Sequence, residues 1–154
     1  MEHRKQNSFL GTMPSPASRL AGFYYMHPRN RFWPVMEKIF GVTLPSVSER
    51  HDFLLQNNIA LWDVLCGCDI DGAQDSSIKN AVPNNFTQIL NESKISRIFC
   101  TGKTVLLLYE KLCAKNYSVP YEGLPSTSPA NASWTLEKLC EEYRKKIFAD
   151  AFHQ

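Results

Sequence analysis

The run His27-Pro28-Arg29-Asn30-Arg31-Phe32-Trp33 brings an imidazole, an amide, two guanidiniums and two large rings into one short segment. An amide can accept from a water while it donates to a substrate. The ordinary job of such an asparagine is to cap a helix. Pro34 speaks against that job here, because the carbonyl of a cap would look to the N–H of Pro34, which has none. Pro34 suits the first position of a helix, so Asn30 is expected to project its amide elsewhere. His27 has two readings, a structural hydrogen bond or a general acid. Phe32 and Trp33 also have two, core packing or a stacking face for a planar base. Arg29 and Arg31 form a basic cluster that suits a phosphate or a solvated face.

A second dense segment is Leu124-Pro125-Ser126-Thr127-Ser128-Pro129-Ala130-Asn131. Its prolines stiffen it, and Ser126, Thr127 and Ser128 offer hydroxyls. Backbone N–H groups ahead of a helix can meet a phosphate or another anion. The other reading is a surface turn capped by its own side chains. Asn131 is read either as a helix cap or as a ligand contact. Asp63 stands in an otherwise apolar run, where a carboxylate could orient a water or serve as a hydrogen-bonded structural acid. Asp71 and Asp75 lie in a polar loop beside Ser76 and Ser77. Gly102-Lys103-Thr104 looks like the end of a phosphate-binding loop, but Arg97 stands where the first glycine of that motif belongs. A helix start is the better reading. Cys66-Gly67-Cys68 has no second pair, whereas a structural metal site usually takes four ligands. Neither a metal nor a cofactor is expected.

The frame for these segments follows from periodicity. Asn7–Thr12 reads as a strand, Pro34–Phe40 as a helix ended by Gly41, and Ser48–Asn57 as a second helix. Ile59–Leu65 reads as a strand followed by a polar loop from Asp69 to Asn80. Asn84–Asn91 reads as a short helix, Ile95–Cys100 as a strand and Gly102–Lys115 as a helix. Ser118–Leu124 and Trp134–Phe148 read as the last strand and the last helix. Strands alternating with helices imply parallel pairing and right-handed crossovers. The expected fold is α/β, a three-layer α/β/α sandwich on a four-stranded parallel sheet. In such a sheet, loops leaving the carboxyl ends of strands build the site. The first and last strands each carry one of the dense segments.

The 154 residues suit one domain, residues 1–154. At that size roughly 70% of the unfolded surface can be buried. The net charge of +2 points to no class of partner, and His3-Arg4-Lys5 and Arg144-Lys145-Lys146 read first as solvated basic faces. No apolar run is long enough to span a membrane, and the amino-terminal residues lack the apolar stretch of a secretory signal. Five cysteines without framework spacing suggest free thiols in a reducing, cytoplasmic setting.

Several segments, in order, resemble the uracil-DNA glycosylase superfamily. They are Gly11-Thr12-Met13-Pro14, the stretch from Gly22-Phe23-Tyr24-Tyr25-Met26 through His27 to Trp33, Ala60-Leu61-Trp62-Asp63-Val64, Asp75-Ser76-Ser77-Ile78 and Leu124 to Asn131. The resemblance is nearest to the hypoxanthine-DNA glycosylase branch, beside the mismatch-specific uracil glycosylases. It implies hydrolysis of the N-glycosidic bond between a damaged base and deoxyribose, after the base has left the stack. It implies damaged DNA as the partner, a monomer, and no cofactor or metal. Asn30 and His27 would be catalytic. Met13, Pro14, Tyr24, Phe32, Thr101 and Asp63 would surround the base, with Phe32 or Tyr24 stacking on it. Arg29, Arg31, Ser126, Thr127, Ser128 and Asn131 would contact the DNA. The chain departs from related branches at Met13, where an Asp or Asn orients water. It departs at Leu124, where a His stabilises the departing base, and at Thr101, where an Asn reads the base. The resemblance to the hypoxanthine branch implies that Asn30, the Asn of its His-Pro-Arg-Asn segment, positions water or substrate. The departures keep two alternatives in view: a non-catalytic DNA-binding domain, and an enzyme acting on small nucleotides.

Overall fold

The computed structural model describes residues 6–11, 24–69, 79–83 and 95–149. Four strands form one parallel sheet: β1 (Gln6–Gly11), β2 (Ile59–Asp63), β5 (Ile95–Thr101) and β6 (Tyr121–Leu124). Their order is β2-β1-β5-β6, so the two central strands are β1 and β5. The register runs Asn7 to Ile59 and Gly11 to Asp63 on one side of β1. On the other side Phe9 faces Phe99 and Leu10 faces Cys100.

Successive side chains of a strand point to opposite faces. Phe9 and Phe99 enter one core, while Leu10, Ile98 and Cys100 enter the other. The first core is closed by α1 (Phe32–Phe40), α2 (Val47–Gln56) and α4 (Leu136–Ile147). Its contacts include Phe32, Trp33, Val35 and Met36 from α1, and Leu139 and Tyr143 from α4. Each such large apolar side chain contributes about 1.5–3 kcal/mol when fully buried. The second core packs under α3 (Lys103–Leu112) through Val105 and Tyr109. The three-layer α/β/α sandwich on a four-stranded parallel sheet is therefore the observed architecture. Among the described residues no helix is long and apolar enough to cross a membrane.

Differences from the expected elements have local causes. β2 stops at Asp63, and the Val64 N–H turns back to the Gly11 carbonyl at 2.8 Å. Leu65–Asp69 is then a separate strand, β3, paired antiparallel with β4 (Lys79–Pro83). The last strand begins at Tyr121 and not at Ser118, because Pro120 has no N–H to give and only accepts from Ile98. α1 begins two residues before Pro34, which sits in the first turn where its missing N–H costs no helical bond. α4 begins at Leu136, with Thr135 accepting from the Lys138 N–H as its cap. α2 is capped by Ser46, whose hydroxyl accepts from the Glu49 N–H. The expected helix at Asn84–Asn91 lies outside the described residues.

Arg97 fixes the amino-terminal end of the sheet. Its guanidinium donates to the carbonyls of Ala149 at 2.6 Å and Ile147 at 2.7 Å, and its Nε to Asn7 Oδ1 at 2.9 Å. Those carbonyls lie at the end of α4, where the helix dipole favours a cation. The opposite end of α4 is thereby aimed at the carboxyl ends of the strands.

Candidate active site

Arg31 gathers the last loop at that carboxyl edge. Its backbone N–H donates to the Thr127 carbonyl at 3.0 Å. Its guanidinium donates to the carbonyls of Ser128 at 2.8 Å, Asn131 at 3.0 Å and Trp134. Tyr143, on α4, adds a 2.6 Å bond to the Pro125 carbonyl. Arg31 thus takes a different place from the expected DNA contact: its donors hold backbone that would otherwise be unsatisfied.

Asn30 lies beside this clasp. Its Oδ1 accepts from the Phe32 N–H at 2.9 Å and from the Thr127 hydroxyl at 2.9 Å. The first bond satisfies an orphan donor of α1, so the cap reading returns one residue earlier than a regular cap. Arg31 is the formal cap and makes no side-chain cap bond. Thr127 is only 2% exposed, so its hydroxyl faces Asn30 and not a DNA phosphate. His27 is exposed, and its Nδ1 accepts from the Arg29 N–H at 3.1 Å, which gives it the structural bond. Arg29 is exposed.

The rest of the last loop behaves as a self-capped turn. The Ser126 hydroxyl accepts from the Ser128 N–H, and the Ser128 hydroxyl from the Ala130 N–H. The Asn131 amide donates to the Ser126 carbonyl at 3.0 Å, so Asn131 braces the turn while Thr135 caps the helix. Each serine keeps its own hydroxyl hydrogen for an outside acceptor. Gly102 precedes α3 at φ +127, and a side chain there would meet Ser126 Cβ at 3.3 Å. A groove of about 710 Å³ runs between Lys103 and Thr104 on one side and Ser126, Ser128 and Asn131 on the other.

The aromatic layer differs from expectation. Phe32 is fully buried. Its ring is covered by Tyr25, stacked at 4.1 Å and 19°, and edged by Phe9 and Trp33. It has no free face for a base. Tyr25 is half-buried, with φ at +56, a left-handed backbone uncommon for a bulky residue. Its hydroxyl lies 3.4 Å from Thr101 Oγ1. Thr101 donates its own hydrogen to the Leu10 carbonyl at 2.8 Å, so it braces β1 and is not turned toward a base. Leu124 is buried in the core. Tyr24 is half-buried and accepts the Trp33 indole N–H on its carbonyl. Sequence reasoning missed Tyr25, for which the Tyr24-Tyr25 pair ahead of His27 was the available signal.

Asp63 ends β2 directly opposite Gly11. A side chain on Gly11 would meet Asp63 Oδ1 at 2.9 Å and the Tyr25 hydroxyl at 3.6 Å. The glycine is what lets the carboxyl and the phenol close over the end of β1. Burial pushes the Asp63 pKa up to about 7. The Tyr25 phenol is raised, chiefly by burial, with the Asp63 charge adding to it. Met13 and Pro14, expected near the base, lie outside the described residues, as do Asp71 and Asp75. Among the described residues no group of three His, Cys, Asp or Glu side chains is placed to hold a metal.

Comparison with known proteins adds the family. The model of the uracil DNA glycosylase superfamily matches residues 5–152. The chain belongs to the uracil DNA glycosylase superfamily. It is 29% identical over 134 residues to a hypoxanthine DNA glycosylase of Methanosarcina acetivorans, covering 86% of this chain and 84% of that protein. It is 36% identical over 80 residues to a hypoxanthine DNA glycosylase of Methanosarcina barkeri, a match spanning about half of each chain, 51% and 51%. A solution NMR structure from Methanosarcina acetivorans, described as a candidate uracil DNA glycosylase, superposes with a TM-score of 0.77 at 28% identity. It covers 95% of this chain and 91% of that one. Superfamily membership accounts for the shared fold.

Proposed function

We infer that the protein is a monofunctional DNA glycosylase that removes deaminated bases, hypoxanthine before uracil, from DNA. The observation that carries this reading is the clasp between the first and last loops, which presents the Asn30 amide at the carboxyl edge of a glycosylase sheet. The named relatives support hypoxanthine as the base. The protein works as a monomer on damaged DNA in the cytoplasm, without metal or cofactor.

In the reaction, the C1′–N bond breaks and its electron pair leaves on the base. Water adds to C1′, one of its protons passes to solvent, and the base anion takes up a proton. The transition state has oxocarbenium character, as in glycoside hydrolysis. Fixed hydrogen-bond donors stabilise the charge on the departing base. Tyr25, supported from below by Phe32, supplies the ring on which the extruded base stacks. The outward hydroxyl hydrogens of Ser126 and Ser128, with Lys103 across the groove, meet phosphates of the flanking strand. Arg29 adds charge from the exposed turn. His27 shapes that turn.

The test is base release from labelled oligonucleotides carrying hypoxanthine, uracil, xanthine or thymine opposite guanine, in single and double strands. Alkali then cuts abasic sites. Strand scission on the hypoxanthine substrate is expected. No scission on any substrate by folded, DNA-binding protein would overturn the reading.

A further inference from the structure

We propose that Thr127 is a positioning residue that fixes Asn30 as a hydrogen-bond donor, so that its NH2 group faces the departing base and its oxygen is closed to the attacking water. This rests on the glycosylase reading and gives its central side chain a direction. A backbone N–H can only donate, so the Asn30 atom 2.9 Å from the Phe32 nitrogen is the amide oxygen. An amide oxygen can only accept, so the Thr127 hydroxyl 2.9 Å away donates to it. Both lone pairs of that oxygen are then taken. Turning the amide over would set its N–H groups against the Phe32 N–H and would break both bonds.

The support behind Thr127 is equally directed. Its carbonyl accepts from the Arg31 N–H at 3.0 Å and from the Arg31 Nε at 3.4 Å. Its side chain is buried, which leaves the hydroxyl no solvent to turn to. What remains at Asn30 is the nitrogen with two hydrogens, and none of the described residues accepts from it. Such a group fits a ligand that presents acceptors and gathers negative charge. A purine leaving as an anion does both, with ring nitrogens and the 6-oxo oxygen. The amide transfers no proton. It holds a hydrogen bond that strengthens as the C1′–N bond breaks.

The experiment is single-turnover base release from a hypoxanthine duplex, with Kd for the same duplex measured separately. Asn30→Asp keeps oxygens for the Phe32 N–H and the Thr127 hydroxyl but has no N–H to offer. It is expected to release base about 100-fold more slowly, the scale of losing one transition-state donor. Its Kd should stay within a factor of about 3 of wild type. Thr127→Val keeps the shape and removes the hydroxyl. It should slow release about 10-fold at saturating DNA, with Kd little changed, and Thr127→Ser should recover most of the rate. Release by Asn30→Asp at the wild-type rate would overturn the inference, because an acceptor would then suffice. Thr127→Val and wild type releasing base at equal rates would overturn it too. A wild-type protein that releases no base overturns the glycosylase reading itself, and this inference with it. If Thr127→Val does not fold, Asn30→Asp against wild type still decides the matter.

Discussion

Two arginines hold the same helix by opposite ends, and they hold it for different purposes. Arg97 meets the carboxyl end of α4 and Asn7, and its polar neighbourhood is closed. It is 6% exposed and stacks over Phe99. Arg31 meets the loop before α4 and is half-buried. Beside it stands Asn30, whose oxygen is held and whose nitrogen is presented. The first arrangement uses a guanidinium to finish a fold. The second uses one to bring two loops together. A fully satisfied polar network of the first kind rigidifies.

Replacing Arg97 gives the largest stability effect. Arg97→Met should cost about 3–5 kcal/mol, because it removes charge-assisted bonds to buried acceptors. Urea denaturation measures it, and base release per folded molecule should change less than about 2-fold. Arg31→Met should cost less stability, about 2 kcal/mol, since its pocket is half solvated. Its rate of base release should fall about 30-fold, because the loop carrying Thr127 loosens. Equal rate losses in the two variants would erase the distinction between a folding clasp and a site clasp.

Asp63 sharpens the comparison through pH. Its folded pKa of about 7 stands above the ordinary 3.8, so the folded state binds more protons than the unfolded one between those values. Stability from this group is therefore lost as pH rises from about 4 to about 7, and the loss is complete above the folded pKa. Asp63→Asn should remove that slope and stabilise the protein by on the order of 2 kcal/mol above neutral pH. Denaturation of both proteins across that range measures the difference, and parallel curves would contradict it. Gly11→Ala should cost about 1–2 kcal/mol by pressing on the Asp63 carboxyl and the Tyr25 hydroxyl, read from the thermal midpoint. His27→Ala should be the mildest change, within about 0.5 kcal/mol, because the imidazole is exposed and makes one local bond.

Much of the fold was legible because periodicity carries it. Phe9 and Leu10 point to opposite cores, and the helix faces at Val35, Met36, Leu139 and Tyr143 read inward as spaced. The break after Asp63 was not legible, since Val64 and Leu65 continue the same apolar run. The last strand, β6, begins later than its side-chain alternation suggests, because Pro120 removes a donor at a position where that alternation shows nothing. At the carboxyl edge, several candidate side chains take tasks other than those expected of them. Arg31, Thr127 and Thr101 carry side chains suited to DNA or a base, yet each is turned onto a distant carbonyl or amide. Partners some 90 to 100 residues away in sequence leave no local mark. Tyr24 and Tyr25 are equivalent in the sequence, and only the left-handed backbone at Tyr25 separates them.

The measurement that tests the account most directly is single-turnover release of hypoxanthine from duplex DNA by wild type and by Asn30→Ala. The wild type is expected to release the base, and the variant to release it at least about 100-fold more slowly with Kd for the duplex changed less than about 3-fold. Base release by Asn30→Ala at the wild-type rate would contradict it.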